Sequence, residues 1–229
     1  MLVGSGFVIL VVLFVFVAVG AIVYGFVQAK RRREEMAGYA LSRGWRYEEY
    51  QPLLVDRFQG APFGIGDDRL AQNAVYGQHD GRDFVSFDYR YETTTGSGKD
   101  RRTTTHNFSV LALSMGVSLP TLTVDPENFL ERFVGRLTNS DIDLELEDFN
   151  RAFTVTCADR KFASDVLHPR MMEFLLQHRD VGWRFERDSM IVVASGQRSI
   201  PEIDVTLALM DQIAEHIPEF VWKQVRGES

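Results

Sequence analysis

The feature that most constrains this chain is its N-terminal stretch, which carries no Asp, Glu, Lys or Arg before Lys30. Four basic residues then follow in succession, Lys30, Arg31, Arg32 and Arg33. As a helix rising ~1.5 Å per residue, the apolar run at residues 7–27 reaches ~31 Å, about the thickness of a bilayer's hydrocarbon core. We therefore predict a transmembrane anchor over residues 1–29 that contacts the lipid bilayer through residues 7–27.

A cleavable signal peptide is the main alternative, because Ala18, Gly20 and Ala21 are small residues that a signal peptidase accepts. Three features disfavour it: no basic residue precedes the apolar run, the run is longer than a signal peptide's, and the basic cluster follows it. A buried helix of a soluble core is the other alternative, and the length of the uncharged stretch disfavours that too.

The basic cluster also predicts an orientation. Loops rich in Lys and Arg stay in the cytoplasm, so Lys30, Arg31, Arg32 and Arg33 are expected to act as membrane-orientation residues. This predicts a single-pass plasma-membrane protein with its N-terminus outside and its C-terminal domain cytoplasmic. The single cysteine, Cys157, is compatible with the cytoplasm, because secreted domains usually carry cysteines in pairs.

The part of the chain after the basic cluster is acidic. It holds 21 basic against 32 acidic residues, a net charge of −11. Phosphate backbones repel such a domain, so nucleic acid is not expected as a partner. An aromatic content of 12% indicates a folded domain rather than disorder.

The clearest β pattern is a hairpin whose strands flank the turn at Asp80-Gly81. In its second strand, Val85, Phe87, Tyr89 and Tyr91 alternate with Ser86, Asp88 and Arg90, so we expect the aromatic face to lie in the core. Trp45 is expected to fill the core as well. The next strand, over residues 106–115, is expected to be buried on both faces.

Two threonine triplets, at residues 93–95 and 103–105, flank a Gly/Ser-rich tip with basic residues. They predict a long, solvated hairpin. Because Arg101 and Arg102 precede Thr103 and Thr104, these two threonines are candidates for phosphorylation. Gly98-Lys99 does not make a phosphate-binding loop, because the glycine five residues earlier and the following Ser or Thr are both missing.

The second half of the chain alternates strands and helices. We predict a Phe-rich helix at residues 127–137 and an amphipathic strand of alternating acids and aliphatics at 141–147. Asp159 is expected to cap one helix and Pro169 to begin another. A second hairpin is predicted around residues 187–189, and a capping box at Ser199 and Glu202 opens the last long helix.

These elements predict an α+β fold: one N-terminal transmembrane helix, then an antiparallel β-meander domain with C-terminal helices and a second hairpin. The expected units are a transmembrane anchor at 1–29, a juxtamembrane helix at 30–44 and a cytoplasmic domain at 45–229. A sub-boundary within that domain is placed near residue 148.

No catalytic residues, cofactor-binding residues or metal ligands are predicted. The five histidines show no pair at zinc-ligand spacing, and Cys157 has no CxxC partner. Nucleophile-elbow, metalloprotease and kinase motifs are also missing. We therefore expect the chain not to be an enzyme and to need no cofactor.

One segment resembles an uncharacterised family of bacterial membrane-anchored proteins of the high-GC Gram-positive type. The resemblance rests on Phe149, Phe153 and Val155 in an FxxxFxV strand, then Asp159, then Leu167, Pro169 and Met172 in an LxPxxM helix. The hairpin at residues 77–91 is similar too. The resemblance implies membrane tethering and transfers no functional site.

Two functions are compatible with these features. The first is a non-enzymatic, membrane-tethered interaction or scaffolding domain with a protein partner at the inner membrane face. The alternative is a small-molecule or lipid-sensing module, with a pocket in the curved sheet lined by aromatics such as Phe87, Tyr89 and Phe108.

Overall fold

The structure is a computed structural model, which describes residues 3–127, 142 and 144–228. It begins with one continuous helix, α1, over Val3–Ser42. From Val12 onward this helix has the length and apolar composition needed to cross a membrane, and its most apolar stretch is not buried by the rest of the protein. The helix ends at Ser42, and Gly44 follows in the turn with a φ of +68°, which suits a residue without a side chain.

In the part of the chain that the structure describes, six strands and five further helices follow α1. The strands are β1 (Arg46–Tyr50), β2 (Asp67–His79), β3 (Arg82–Thr95), β4 (Arg102–Pro126), β5 (Phe153–Cys157) and β6 (Trp183–Ser195). The helices are α2 (Glu147–Ala152), α3 (Arg160–Val166), α4 (Pro169–Leu175), α5 (Ile200–His216) and α6 (Glu219–Arg226). Short 3-10 turns lie at Pro52–Leu54 and Gly98–Asp100.

All six strands form one antiparallel sheet in which β1, β2, β3 and β4 are successive neighbours. Strand β4 is long enough to pair with β3 along its first half and with β5 along residues 122–126. Along its other edge it pairs with β6. The elements on both sides of residue 148 therefore belong to one sheet, and the predicted α+β fold of an N-terminal apolar helix, antiparallel sheet and C-terminal helices is confirmed.

The sheet is buried on both faces by two hydrophobic clusters. One face packs against the end of α1 and the C-terminal helices, through residues such as Met36, Leu111 and Leu207. The other face is covered by the loop at residues 51–66, whose Phe58 and Phe63 pack over β3 and β4. This double covering explains why Ser86 and Asp88, predicted for a polar face, are also buried.

Several local predictions are confirmed. The Asp80-Gly81 turn joins β2 to β3, and the threonine triplets pair across the next hairpin. The Asp159 carboxylate accepts a hydrogen bond from the Phe162 N–H at 3.0 Å, so it caps α3. Glu202 Oε2 likewise accepts from the Ser199 N–H at 2.6 Å, which completes the predicted capping box at the start of α5.

The predicted second hairpin is wrong. Residues 187–189 do not reverse the chain, and β6 runs on as a single strand with Arg187 at a φ of +55°. The irregularity is a bulge in the partner strand: between the pairs of Ser114 with Ser189 and Leu119 with Arg187, β4 carries the extra residues, among them Gly116 with a φ of +71°. Pairing with one long neighbour supplies the backbone hydrogen bonds that a turn would have interrupted.

The acidic strand predicted at 141–147 is wrong over the residues described. Positions 142 and 144–146 are not in a strand, and Glu147 already begins α2. The Asn150 side chain bonds both backbone groups of Leu144, donating to its carbonyl at 2.7 Å and accepting from its N–H at 3.0 Å. These bonds replace those of a strand ladder. The helix predicted at 127–137 lies outside the described residues, apart from Glu127, which is in a turn.

Candidate functional site

The four basic residues after the apolar run have different surroundings. The side chains of Lys30 and Arg31 are each 73% exposed and form surface ion pairs with Glu34 and Glu35. Arg32 points into the domain and is buried, although the sequence suggested a charge at the membrane surface. Only part of the cluster therefore faces solvent, and its role in membrane orientation remains a prediction.

The partner of Arg32 is Asp88 in the middle of β3. Arg32 Nε donates to Asp88 Oδ2 at 3.1 Å and Nη2 donates to Oδ1 at 3.0 Å. The Asn73 and Gln197 side-chain amides donate to the same Oδ2 at 2.9 and 3.0 Å. These hydrogen bonds offset part of the cost of burying the two charges.

Asn73 owes its position to a bulge in β2. Its φ of +54° is tolerated by Asn better than by most residues, and the register of β2 against β3 shifts between residues 72 and 75. The bulge turns the amide toward Asp88, and the Tyr47 hydroxyl donates to Asn73 Oδ1 at 2.9 Å. Burial raises the pKa of Tyr47 to about 12, so this hydroxyl keeps its proton at neutral pH.

A second ion pair joins α1 to α5 about three turns further along. Arg43 donates to both carboxylate oxygens of Asp204, at 2.5 and 2.8 Å, and the Tyr39 hydroxyl donates to Oδ1 at 2.7 Å. The Arg43 guanidinium lowers the pKa of Asp204, chiefly by hydrogen bonding. The pKa of Tyr39 is raised, first by burial and then by the neighbouring carboxylate.

Between these two ion pairs, α1 packs directly on the sheet. Met36, Tyr39 and Ala40 are buried in the larger hydrophobic cluster. The partly buried Trp45 ring follows, with its centroid 5.3 Å from that of Tyr39 and 4.9 Å from that of Phe84. The C-terminal end of α1 is therefore part of the domain's core.

A cleft of about 620 Å³ opens where α1 leaves the apolar stretch. Its α1 side holds Gln28 and the arginines that follow, and its other wall is the turn at residues 197–199 before α5. We call it the juxtamembrane cleft. Its lining residues are Gln28, Ala29, Arg31, Arg32, Arg33, Glu35, Tyr50, Gln72, Asn73, Gln197, Arg198 and Ser199.

The residues predicted from sequence to line a pocket lie elsewhere. Phe87, Tyr89 and Phe108 are at most 3% exposed and pack in the cluster under the 51–66 loop. They line neither the juxtamembrane cleft nor the two smaller clefts found at residues 53–58 with 186–188 and at residues 164–170 with 218–220. These aromatics therefore act as core in the structure.

Thr103 and Thr104 are exposed on β4 in the threonine-rich hairpin. Thr103 pairs across the ladder with Thr94, and Thr104 with Thr93. They are accessible at the surface, and their phosphorylation remains a prediction.

Within the described ranges, no three His, Cys, Asp or Glu side chains are grouped closely enough to hold a metal ion. Cys157 is buried and its thiol donates to the Asp159 carbonyl at 3.2 Å. Burial raises the pKa of this thiol, which is unfavourable for a nucleophile.

Sequence reasoning missed both Asp88 and Arg198. Asp88 lies between the buried Phe87 and Tyr89, and an acid in such an aromatic strand is the signal that could have indicated a buried partner. Arg198 has no comparable signal, because its place in the cleft depends on how β6 and α5 pack against α1.

No protein-family model and no curated protein sequence matches this chain. Among solved structures, it is similar to the crystal structure of the mycobacterial trehalose monomycolate transport factor A, TtfA. The TM-score is 0.57 at 16% sequence identity, and the alignment covers 82% of this chain and 96% of that one. At this identity the similarity establishes a shared fold.

Proposed function

We propose that this chain is a membrane-anchored, non-enzymatic accessory factor for the transport of an envelope lipid. The proposal is carried by the fold it shares with TtfA, a mycobacterial trehalose monomycolate transport factor. The lipid would be trehalose monomycolate or its counterpart in the host envelope.

The mounting of the domain on α1 supports an accessory role. Three ion pairs, Arg32 with Asp88, Arg33 with Glu49 and Arg43 with Asp204, and a buried apolar layer hold the domain at one angle to the membrane helix. A domain held in this way presents the same surface to any protein beside it in the bilayer. We therefore propose that it works as a scaffold for a membrane-embedded partner.

We further propose that the domain lies on the cytoplasmic side. The basis is the asymmetry of charge, with Lys30, Arg31, Arg32 and Arg33 at the domain end of the apolar run and no charge before it. Protease added to intact spheroplasts should leave the domain whole and should digest it after lysis. Digestion before lysis would contradict this orientation.

Depletion of the chain in its host tests the transport role. After a pulse of labelled lipid precursor, we expect synthesis of the envelope lipid to continue while its delivery to the cell surface slows. Expression of the wild-type chain should restore delivery. Normal delivery after the chain is depleted below detection would overturn the proposal.

The scaffold role and the absence of catalysis need separate tests. Crosslinking in membranes should recover a specific integral membrane protein, and recovery of none would contradict a scaffold. Purified chain incubated with envelope lipid extract should leave every lipid mass unchanged. A covalently altered lipid would show an enzyme.

A further inference from the structure

The juxtamembrane cleft lies directly beside the membrane-proximal end of the domain. Gln28 and Ala29 follow the apolar run immediately and form part of its wall. The ring of Tyr50 and the amide of Gln72 lie on the sheet side. A volume of about 620 Å³ is in the range of small-molecule sites, so a polar headgroup fits within it.

The charges of the cleft do not balance. Four arginines line it, and three of them have a carboxylate partner: Arg31 with Glu35, Arg32 with Asp88, and Arg33 with Glu49. Arg198 forms no ion pair with any residue that the structure describes. One positive charge in the cleft is therefore left over.

Arg198 lines the juxtamembrane cleft. Its Nη1 donates to the Ser109 carbonyl at 3.0 Å, which leaves most of the guanidinium's N–H groups for another acceptor. The nearby Glu202 carboxylate already accepts from the Ser199 N–H and hydroxyl. Burial lowers the pKa of Arg198 to about 10 against the opposing effect of Glu202, so the group is still charged at neutral pH.

A partly buried guanidinium without an anionic partner is costly, and a bound anion removes that cost. Arg31 also lines the cleft with an exposed side chain, and its surface pair with Glu35 is weak enough to exchange partners. Arginine is also the side chain that best matches the oxygens of a phosphate.

We propose that the juxtamembrane cleft binds one phosphate group between Arg198 and Arg31. The phosphate belongs either to the headgroup of an anionic inner-leaflet phospholipid or to a free phosphate ion. The location of the cleft on the cytoplasmic face of the membrane rests on the proposed function. The binding of a phosphate group does not.

The test uses the purified full chain in nanodiscs. One arm has nanodiscs of phosphatidylcholine with phosphatidylglycerol, and native mass spectrometry counts the phosphatidylglycerol retained on the released protein. The other arm has nanodiscs of phosphatidylcholine alone, with calorimetric titration of inorganic phosphate. Retention in the first arm identifies a lipid headgroup, and binding in the second identifies free phosphate.

The main variant is Arg198→Met, which keeps a side chain similar to the unbranched aliphatic part of arginine and removes the guanidinium charge. Its matched control is Arg179→Met, because Arg179 also donates to one backbone carbonyl but is exposed and outside the cleft. Loss of charged hydrogen bonds should weaken binding about tenfold or more in R198M, while R179M binds as the wild type does.

A second pair keeps the test valid if R198M does not fold. Lys30 and Arg31 are equally exposed and both form i,i+4 ion pairs, but only Arg31 lines the cleft. Arg31→Met should weaken binding several-fold and Lys30→Met should not. Equal effects within both pairs, or no phosphate ligand in either arm, would overturn the proposal. Loss of lipid transport in the host is a separate readout, so the two proposals fail independently.

Discussion

Two of the ion pairs that fasten the C-terminal end of α1 to the domain, Arg32 with Asp88 and Arg43 with Asp204, use the same chemistry in different surroundings. The side chains of Arg32 and Asp88 are 9% and 5% exposed, whereas those of Arg43 and Asp204 are 38% and 36% exposed. Asp88 of the first pair also accepts from the buried amide of Asn73 and the exposed amide of Gln197, while Asp204 of the second pair also accepts from the Tyr39 hydroxyl. Burial, and not the number of hydrogen bonds, is what separates their expected contributions to stability.

The difference follows from where water remains. A buried charge that loses its partner cannot be rehydrated, so breaking the pair costs far more than the intact pair contributes. An exposed charge is rehydrated at once and screened by salt. The domain therefore depends on the membrane-proximal pair to keep its angle to the helix, and much less on the distal pair.

The largest effect is expected for Asp88→Asn. It leaves Arg32 charged and buried without a counterion, so the free energy of unfolding should fall by ~3–5 kcal/mol. Denaturant unfolding of the full chain in detergent measures this, with Asp83→Asn as the control, because Asp83 is exposed on the same strand. Replacing both partners, Arg32→Met with Asp88→Leu, should recover part of the loss. A loss below ~1 kcal/mol in D88N would contradict the comparison.

The apolar layer between the two pairs should rank second. A Cβ at position 77 would lie 2.6 Å from Trp45 Cδ2, and the Trp45 ring is held between Tyr39 and Phe84. Gly77→Ala should therefore cost ~1–3 kcal/mol through overpacking. Gly38→Ala is the control, because nothing lies within 4 Å of its added Cβ and alanine favours a helix. If both variants are stabilised alike, the packing of Trp45 is not a constraint.

The distal pair should contribute less. Asp204→Asn keeps an acceptor for the Tyr39 hydroxyl and removes the charge opposite Arg43. The expected loss is under ~1 kcal/mol, and it should shrink further in high salt because the pair is accessible to ions. A loss as large as that of D88N, unchanged by salt, would show that exposure does not distinguish the two pairs.

Acid should remove the small contribution of Asp204. Its pKa is lowered in the folded state, so the pair stabilises fully above the unfolded pKa of ~3.9 and is lost as the pH falls through the lower folded value. The difference in unfolding free energy between wild type and D204N should therefore be constant near neutral pH and should shrink toward zero as the pH falls through the lowered folded-state pKa of Asp204. A difference that grows on acidification would have the wrong sign.

Much of the fold could be predicted because its signals are local. The uncharged stretch before Lys30, the Asp80-Gly81 turn and the capping box at Ser199 each depend on a few adjacent residues. The prediction of a second hairpin failed for the same reason: residues 187–189 look like a turn by themselves, and only the pairing with β4 keeps them in a strand, opposite the extra residues of β4.

The candidate site was far less predictable. Arg32 and Asp88 are 56 positions apart, and Arg198 is a further 110 positions along the chain. No periodicity relates them. The pocket predicted around Phe87, Tyr89 and Phe108 rested on aromatic character, which serves equally well for core packing, and the loop at 51–66 covers that face.

By itself, the sequence determined the membrane anchor, the antiparallel sheet and the caps of its helices, because hydrophobic length, alternation and capping act between near neighbours. The tertiary structure decided which of the four basic residues turns inward and where an unmatched arginine is left. Those outcomes depend on burial and on partners brought together by the fold. The electrostatic free energy of a charged side chain depends on its solvation and on the charges near it in space, and not on its position in the chain.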